Sequence, residues 1–254
     1  MNGEHLSPKT RELLGRPIEE RIAYIQLDSW IPYSQANKIL QQLEGLLNHP
    51  KCDRMPNLAI TAQTNNGKTR LMKHFLSLHQ ASESNTGTIM APVFYVQCPG
   101  FPDESRLYTA ILLKLCKKFR PSAPAQEKLV LVLDTLSKIE IRILALDEVN
   151  FTEVGTAAKQ KRFLNALRYL ANELRISIVC LGTEEMMRVI RSVPSVENRF
   201  SADGPSAMAT GSRISTAAGL VRKDHSAYLS IGSAKEQYSH RKASGPLGGY
   251  DWRT

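Results

Sequence analysis

Eight residues in the first third of the chain, Ala62-Gln63-Thr64-Asn65-Asn66-Gly67-Lys68-Thr69, have the types and order of a loop that wraps phosphate. Such a loop needs backbone N–H groups converging on phosphate oxygens and a helix whose positive N-terminal end points at them. It also needs a lysine for the β- and γ-phosphates and a hydroxyl for Mg²⁺. Gly67, Lys68 and Thr69 meet the last three requirements. Ala62 stands where the pattern has glycine, which puts a Cβ at the loop entrance and disfavours a positive φ there, while Asn65 and Asn66 are the residue type most tolerant of left-handed geometry after glycine. The expected ligands are ATP and Mg²⁺.

A second group, Ile143-Leu144-Ala145-Leu146-Asp147-Glu148, is an apolar run ending in two carboxylates, 79 residues beyond Lys68. A buried strand here delivers Asp147 to the shell of the Mg²⁺ held by Thr69, and places Glu148 to polarise the water that attacks the γ-phosphate. Taken alone the segment also reads as a strand closing in a solvated acidic turn. The order of the two groups, each at the C-terminal end of an apolar run, favours the metal site. A third run, Ile176 to Leu181, ends at Gly182-Thr183, so Thr183 stands beside the other strand ends as a sensor of the γ-phosphate or the attacking water, although many strands simply end in Gly-Thr. Arg199, in Glu197-Asn198-Arg199-Phe200 after a short helix over 185–192, is placed either to reach a neighbouring subunit's site or to form an ordinary surface ion pair.

The elements that must hold these groups follow from the apolar period. Ser34 caps a helix in which Ala36, Ile39, Leu40, Leu43, Leu46 and Leu47 recur at three- and four-residue spacing, ending before His49-Pro50. Leu58 to Thr61 forms a short strand, the phosphate loop follows, and a helix with Leu71, Met72, Phe75 and Leu76 on one face comes next. Val93 to Gln97 repeats the strand, with Pro102 and Asp103 opening the next helix. Leu129 to Leu136 and the stripe Phe163, Leu164, Leu167, Leu170, Ala171 and Leu174 are helical, with strands at 141–146 and 176–181. The alternation predicts an α/β fold, a parallel sheet flanked by helices on both faces.

Composition bounds the rest. The chain has 254 residues, 42% hydrophobic and 22% charged, enough for one substantial globular domain or two small ones. Its longest uninterrupted apolar stretch, Ile89 to Val96, is far short of the roughly 20 residues of a membrane span, and the first 30 residues lack the apolar stretch of a secretory signal. The expectation is a cytoplasmic protein with no membrane partner. Cys52, Cys98, Cys116 and Cys180 are too widely spaced for a metal knuckle or a small disulfide framework and read as reduced thiols. A formal charge of +9 attracts polyanions, and Lys159, Lys161 and Arg162 cluster on the helix after Asp147-Glu148, beside a turn over 151–158. They read either as a double-stranded DNA contact or as a solvated basic face.

Together these stretches resemble the TniB family of AAA+ transposition ATPases, and more distantly the TnsC and IstB ATPases. The resemblance is carried by Trp30-Ile31-Pro32-Tyr33, His49-Pro50-Lys51, Met55-Pro56-Asn57-Leu58, Thr64-Asn65-Asn66-Gly67-Lys68-Thr69, Pro102-Asp103-Glu104, Asp147-Glu148, Phe163-Leu164-Asn165-Ala166-Leu167-Arg168, Asn172-Glu173-Leu174-Arg175-Ile176 and Glu197-Asn198-Arg199-Phe200. It implies an AAA+ P-loop fold and an ATP-dependent regulator that assembles on DNA as a ring or filament and recruits or activates a DDE-type, TniA-like transposase. It implies roles for Thr64, Asn65, Asn66, Gly67, Lys68 and Thr69 on phosphate, Thr69 and Asp147 on metal, and Glu148, Thr183 and Arg199 in hydrolysis, with Arg199 acting in trans. It also sets Trp30 and Tyr33 near the adenine, where a core plug under the following helix is the other reading. Domains are expected at 1–33 (N-terminal extension), 34–200 (ATPase core) and 201–254 (tail).

After Phe200 the chain departs from the family. Residues 201–254 hold nine Ser, eight Ala and seven Gly with no sustained period, which reads as a mostly disordered tail on a truncated core lacking the last strand and lid. That departure implies impaired hydrolysis. Two other functions share these features: a DNA-binding scaffold without ATP turnover, and a helicase-loader type ATPase.

Overall fold

A computed structural model describes residues 8–26, 30, 32–85, 87–149, 156–200 and 206–207. The chain divides into two compact units, one of residues 1–31 with 212–254 and the other of residues 32–211. In the first, α1 (Pro8–Leu14) and α2 (Ile18–Gln26) are joined by a turn in which Arg16 bridges Glu12 at 2.8 Å and Glu20 at 3.3 Å.

The second unit opens with α3 (Ser34–Asn48), which buries Ala36, Ile39, Leu43 and Leu46 along one stripe. Ser34 is not its cap. The carbonyl of the extended residue Tyr33 already accepts the Asn37 N–H at 3.0 Å, so the helical ladder starts one residue earlier and Ser34 is its first helical residue. The succession then runs β1 (Leu58–Thr61), α4 (Lys68–Leu78), a small antiparallel hairpin of β2 (Ser82–Glu83) and β3 (Ile89–Met90), and β4 (Val93–Gln97). After these come α5 (Glu104–Lys114), α6 (Ala125–Lys138), β5 (Ile143–Asp147), α7 (Ala157–Leu174), β6 (Ser177–Gly182), α8 (Glu184–Arg191) and α9 (Pro194–Phe200).

Local chemistry sets these boundaries. Asp103 caps α5 by accepting the Arg106 N–H at 2.8 Å. Strand β6 begins one residue later than its apolar run because Arg175 takes a left-handed conformation (φ 49°) and Ile176 N–H bonds back to the Ala171 carbonyl at 3.1 Å, closing α7.

The main sheet has the order β4-β5-β6-β1-β7, all parallel. Every residue of β1, β5 and β6 is buried, as strands covered on both faces must be, and helices flank the sheet. The expected fold class is therefore what forms. The core joins sheet residues such as Leu144, Leu146 and Ile178 to Leu107, Ile111, Phe163, Leu167 and Ile190 of the helices.

The edge beside β1 differs from the expectation of a core without its last strand. Ser206–Ala207 (β7) pairs in parallel with the outer edge of β1, Ile60 opposite Ser206 and Thr61 opposite Ala207. An open edge of a buried strand offers unpaired N–H and C=O groups, and two residues of the chain satisfy part of it. The expectation of disorder over 201–254 falls, apart from these two, outside the described residues, as does most of the turn expected over 151–158.

Candidate functional site

Strand register gathers the chemistry at one end of the sheet. Gln97 pairs with Asp147 across β4 and β5, Leu146 with Cys180 across β5 and β6, and Thr61 with Gly182 across β6 and β1. The C-terminal ends of four neighbouring strands thus carry Gln97, Asp147-Glu148, Gly182-Thr183 and the loop after Thr61, the edge where open α/β sheets hold ligands.

In the loop, Asn65 (φ 63°) and Gly67 (φ 78°) are the left-handed residues. Ala62, in place of the pattern's glycine, has no positive φ and is buried, its N–H bonded to the Gly182 carbonyl at 3.1 Å. The entrance therefore accommodates a Cβ. Thr64, Asn65, Asn66 and Gly67 lead into the N-terminus of α4, where the helix dipole favours an anion. Lys68 donates from Nζ to the Ala62 and Gln63 carbonyls at 2.8 and 2.9 Å, so its ammonium already spans the loop. Burial pushes the Lys68 ammonium below its usual value, while the Asp147 and Glu148 charges pull it back up.

The metal-side residues meet across 78 positions. Thr69 Oγ1 donates to Asp147 Oδ2 at 2.6 Å, and the Glu148 N–H donates to Asp147 Oδ1 at 2.8 Å. A hydroxyl and a carboxylate side by side are hard oxygen donors that fit Mg²⁺, which takes one or two protein oxygens plus substrate phosphates rather than a full protein cage. Among the described residues no three His, Cys, Asp or Glu side chains converge as a separate metal site.

Two contacts here escaped the sequence reading. The Tyr95 hydroxyl also donates to Asp147 Oδ2, at 2.7 Å, and Gln97 Nε2 donates to Glu148 Oε2 at 2.6 Å. Burial first, then the hydrogen bond and charge of Asp147, raise the Tyr95 phenol far above its ordinary value, so it stays a proton donor. Glu148 is exposed and left-handed (φ 54°), a conformation that costs energy in a non-glycine residue and turns its carboxylate onto Gln97.

Thr183 immediately follows β6 at the N-terminus of α8. Its hydroxyl holds the Glu185 carboxyl below the usual range. Gly182 is required there by close approach, since a Cβ would lie 2.7 Å from Met186 Sδ and 2.8 Å from the Val149 carbonyl.

Arg199 is elsewhere. The Asn57 N–H donates to the Arg199 carbonyl at 2.8 Å, just before β1 starts, and Asn57 Oδ1 accepts the Ile178 N–H at 2.8 Å near the start of β6. Arg199 therefore lies at the N-terminal edge of the sheet, a strand length of about 13 Å from its own phosphate loop. The structure does not bring it together with Lys68.

Lys159, Lys161 and Arg162 are exposed on the first turns of α7, with Arg162 4.0 Å from Glu104. Tyr33 is half-buried at the head of α3, where burial raises its phenol, and Trp30 belongs to the other compact unit.

No curated protein matches the chain. Among solved structures it is similar to Cdc6p from Pyrobaculum aerophilum, at 18% identity and a TM-score of 0.48, over 72% of this chain and 48% of that one. It is also similar to the ORC2 protein of Aeropyrum pernix, at 16% identity and a TM-score of 0.45, over 68% of this chain and 48% of that one. The chain thus spans about half the length of either. The strand bearing the phosphate loop lies between β6 and β7. The profile of bacterial TniB proteins matches residues 21–206, almost three quarters of the sequence and every element from α3 to α9, and on that ground the chain belongs to the TniB family.

Proposed function

We propose that this chain is an ATP-binding regulator of DNA transposition that works in the cytoplasm, assembles on double-stranded DNA as a ring or filament and recruits or activates a DDE-type transposase. The observation that carries the nucleotide half of this reading is the 2.6 Å contact of Thr69 with Asp147, because it joins the phosphate-loop hydroxyl to the carboxylate of a different strand.

In this reading the 64–67 backbone and Lys68 hold the triphosphate, and Thr69 and Asp147 hold Mg²⁺, which neutralises charge on the β- and γ-phosphates. Glu148 takes a proton from the attacking water once Gln97 yields it, Thr183 senses the γ-phosphate, and Tyr33 flanks the base. Arg199, too far from its own loop, serves the nucleotide of a neighbouring copy. Lys159, Lys161 and Arg162 face DNA phosphates.

Titration with a fluorescent ATP analogue tests the site: Lys68→Ala removes binding at micromolar protein, and an unchanged affinity would refute the assignment. Replacing Lys159, Lys161 and Arg162 together by alanine weakens DNA binding and flattens its salt dependence, by a slope of about 0.9 for each phosphate the variant no longer neutralises.

The Gln97–Glu148 bond favours a second reading, a DNA-binding scaffold without turnover, because it ties up the carboxylate needed to activate water. Steady-state phosphate release with and without duplex DNA separates the two.

A further inference from the structure

At the edge of the sheet remote from the phosphate loop is a cavity of about 690 Å³ whose lining includes Arg54, Arg168, Asn172, Ser195, Asn198 and Arg199. Three arginines line one space. The carboxylate in that lining, Asp53, is engaged by Arg175 at 3.2 Å. Arg199 Nη1 is buried with no hydrogen-bond partner among the described residues. A buried guanidinium nitrogen left unpaired carries the desolvation cost of a charged donor without the compensating bond. Burial, and after it the like charges of Arg54 and Arg168, depress the Arg199 guanidinium below its usual value, with Cys52 as the smaller opposing influence. The cavity is thus short of negative charge.

We infer that this cavity is an anion site that takes the terminal phosphates of a nucleotide held by a second copy of the chain, with Arg54 and Arg168 as phosphate contacts beside Arg199. The inference rests on the reading of Arg199 as an arginine acting in trans and extends it to two residues that carry no such assignment. Planar guanidinium forks match phosphate oxygens two at a time, and a terminal polyphosphate concentrates its charge in a volume that three converging forks can surround. The chain's own nucleotide is excluded, because its loop leaves the opposite end of β1. A head-to-tail association brings the loop edge of one copy to the arginine edge of the next, and repetition of that contact gives a ring or a filament. Arg168 on α7 and Arg54 before β1 come from separate parts of the chain, so the cavity exists only in the folded core.

The test uses the full chain, Mg²⁺ and a non-hydrolysable ATP analogue, with self-association followed by sedimentation and nucleotide affinity by fluorescence at high dilution. Arg54→Gln and Arg168→Gln are each expected to weaken analogue-dependent association by about 10-fold or more, as loss of a charge-assisted hydrogen bond does. Affinity for the analogue at dilution stays unchanged, and Arg→Lys at either position recovers part of the association. Because Arg54→Lys and Arg168→Lys keep the charge and most of the side chain, they report on the site even where a glutamine variant folds poorly. Association that is untouched, or lost equally without nucleotide, would overturn the inference. So would a loss of duplex DNA binding in the nucleotide-free chain, which would make DNA the source of the phosphate. If Arg199→Gln weakens association while the Arg54 and Arg168 variants do not, the inference fails and the trans arginine stands. If the analogue induces no association at all, both fail.

Discussion

The two ends of the β-sheet treat charge in opposite ways. At the phosphate-loop end, Lys68 is held by two loop carbonyls, Asp147 accepts from Thr69, Tyr95 and the Glu148 N–H, and Glu148 accepts from Gln97. At the other end, three arginines share a cavity and a buried Nη1 of Arg199 has no partner among the described residues. The charged groups of the first end are partnered internally and must exchange those hydrogen bonds for ligand, although the buried Thr61 hydroxyl there has no partner among the described residues. The second is unsatisfied within one copy. The same core thus presents a donor face and an acceptor face, the asymmetry a head-to-tail assembly needs.

The largest effect that tests this contrast is at Arg199. Arg199→Gln is expected to suppress phosphate release by roughly 10³ to 10⁵, the range of arginine fingers, while nucleotide affinity at high dilution is unchanged. Mixing that variant with a Glu148→Gln chain restores some turnover, since mixed contacts pair an intact arginine with an intact loop. A fall in affinity at dilution would show instead that Arg199 serves its own nucleotide, and the contrast between the ends would collapse.

What could be read from the sequence follows the same division. The loop end was legible because its residues are adjacent in the chain and bracketed by apolar runs: 62–69 running from β1 into the first turn of α4, and Asp147-Glu148 at the end of β5. Tyr95 and Gln97 were not, although they alternate on β4 and therefore share a face, because only the register Gln97 to Asp147 shows what that face meets. The arginine cavity was illegible beyond Arg199, since Arg54 and Arg168 are separated by 114 positions and no local pattern links them. Ser34 misled because a serine before an apolar stripe is a common cap, whereas here the backbone of Tyr33 opens the ladder. The two paired residues of β7 were hidden in Ser- and Ala-rich sequence that has no strand period.

A smaller effect separates geometry from charge at the loop end. Gly182→Ala drives a Cβ against Met186 and the Val149 carbonyl, and Val149 N–H is itself bonded to Leu181 at 2.9 Å, one residue beyond Glu148. Overpacking of this kind costs about 1–3 kcal/mol in denaturant unfolding. It should lower turnover more than nucleotide binding, because the displaced segment carries Glu148 while Lys68 and Thr69 stand on α4. Equal losses in both, or a stability change within measurement error, would show that β6 and the Val149 segment yield freely there.

The smallest effect concerns the Tyr95 hydroxyl, which tests whether the loop end is held together before any ligand binds. Tyr95→Phe removes a hydrogen bond to Asp147 Oδ2, with an expected loss of roughly 1.5 kcal/mol in unfolding free energy at neutral pH. The pH dependence has a definite sign. The folded phenol ionises above the ordinary tyrosine value of 10.0, so its contribution to stability is whole below that value, where both states are protonated. Above it the unfolded chain gives up the proton first, and the contribution is lost as pH rises through the folded pKa. The stability difference between the wild-type chain and Tyr95→Phe should therefore be constant from pH 7 to about 9 and shrink above pH 10. Tyr108, raised to about 12 by burial, is present in both chains and cancels in the difference. A difference that stays constant through pH 11 would mean that the phenol is neither buried nor bound to Asp147 in the free protein. Asp147 would then rest on Thr69 and the Glu148 N–H before ligand arrives.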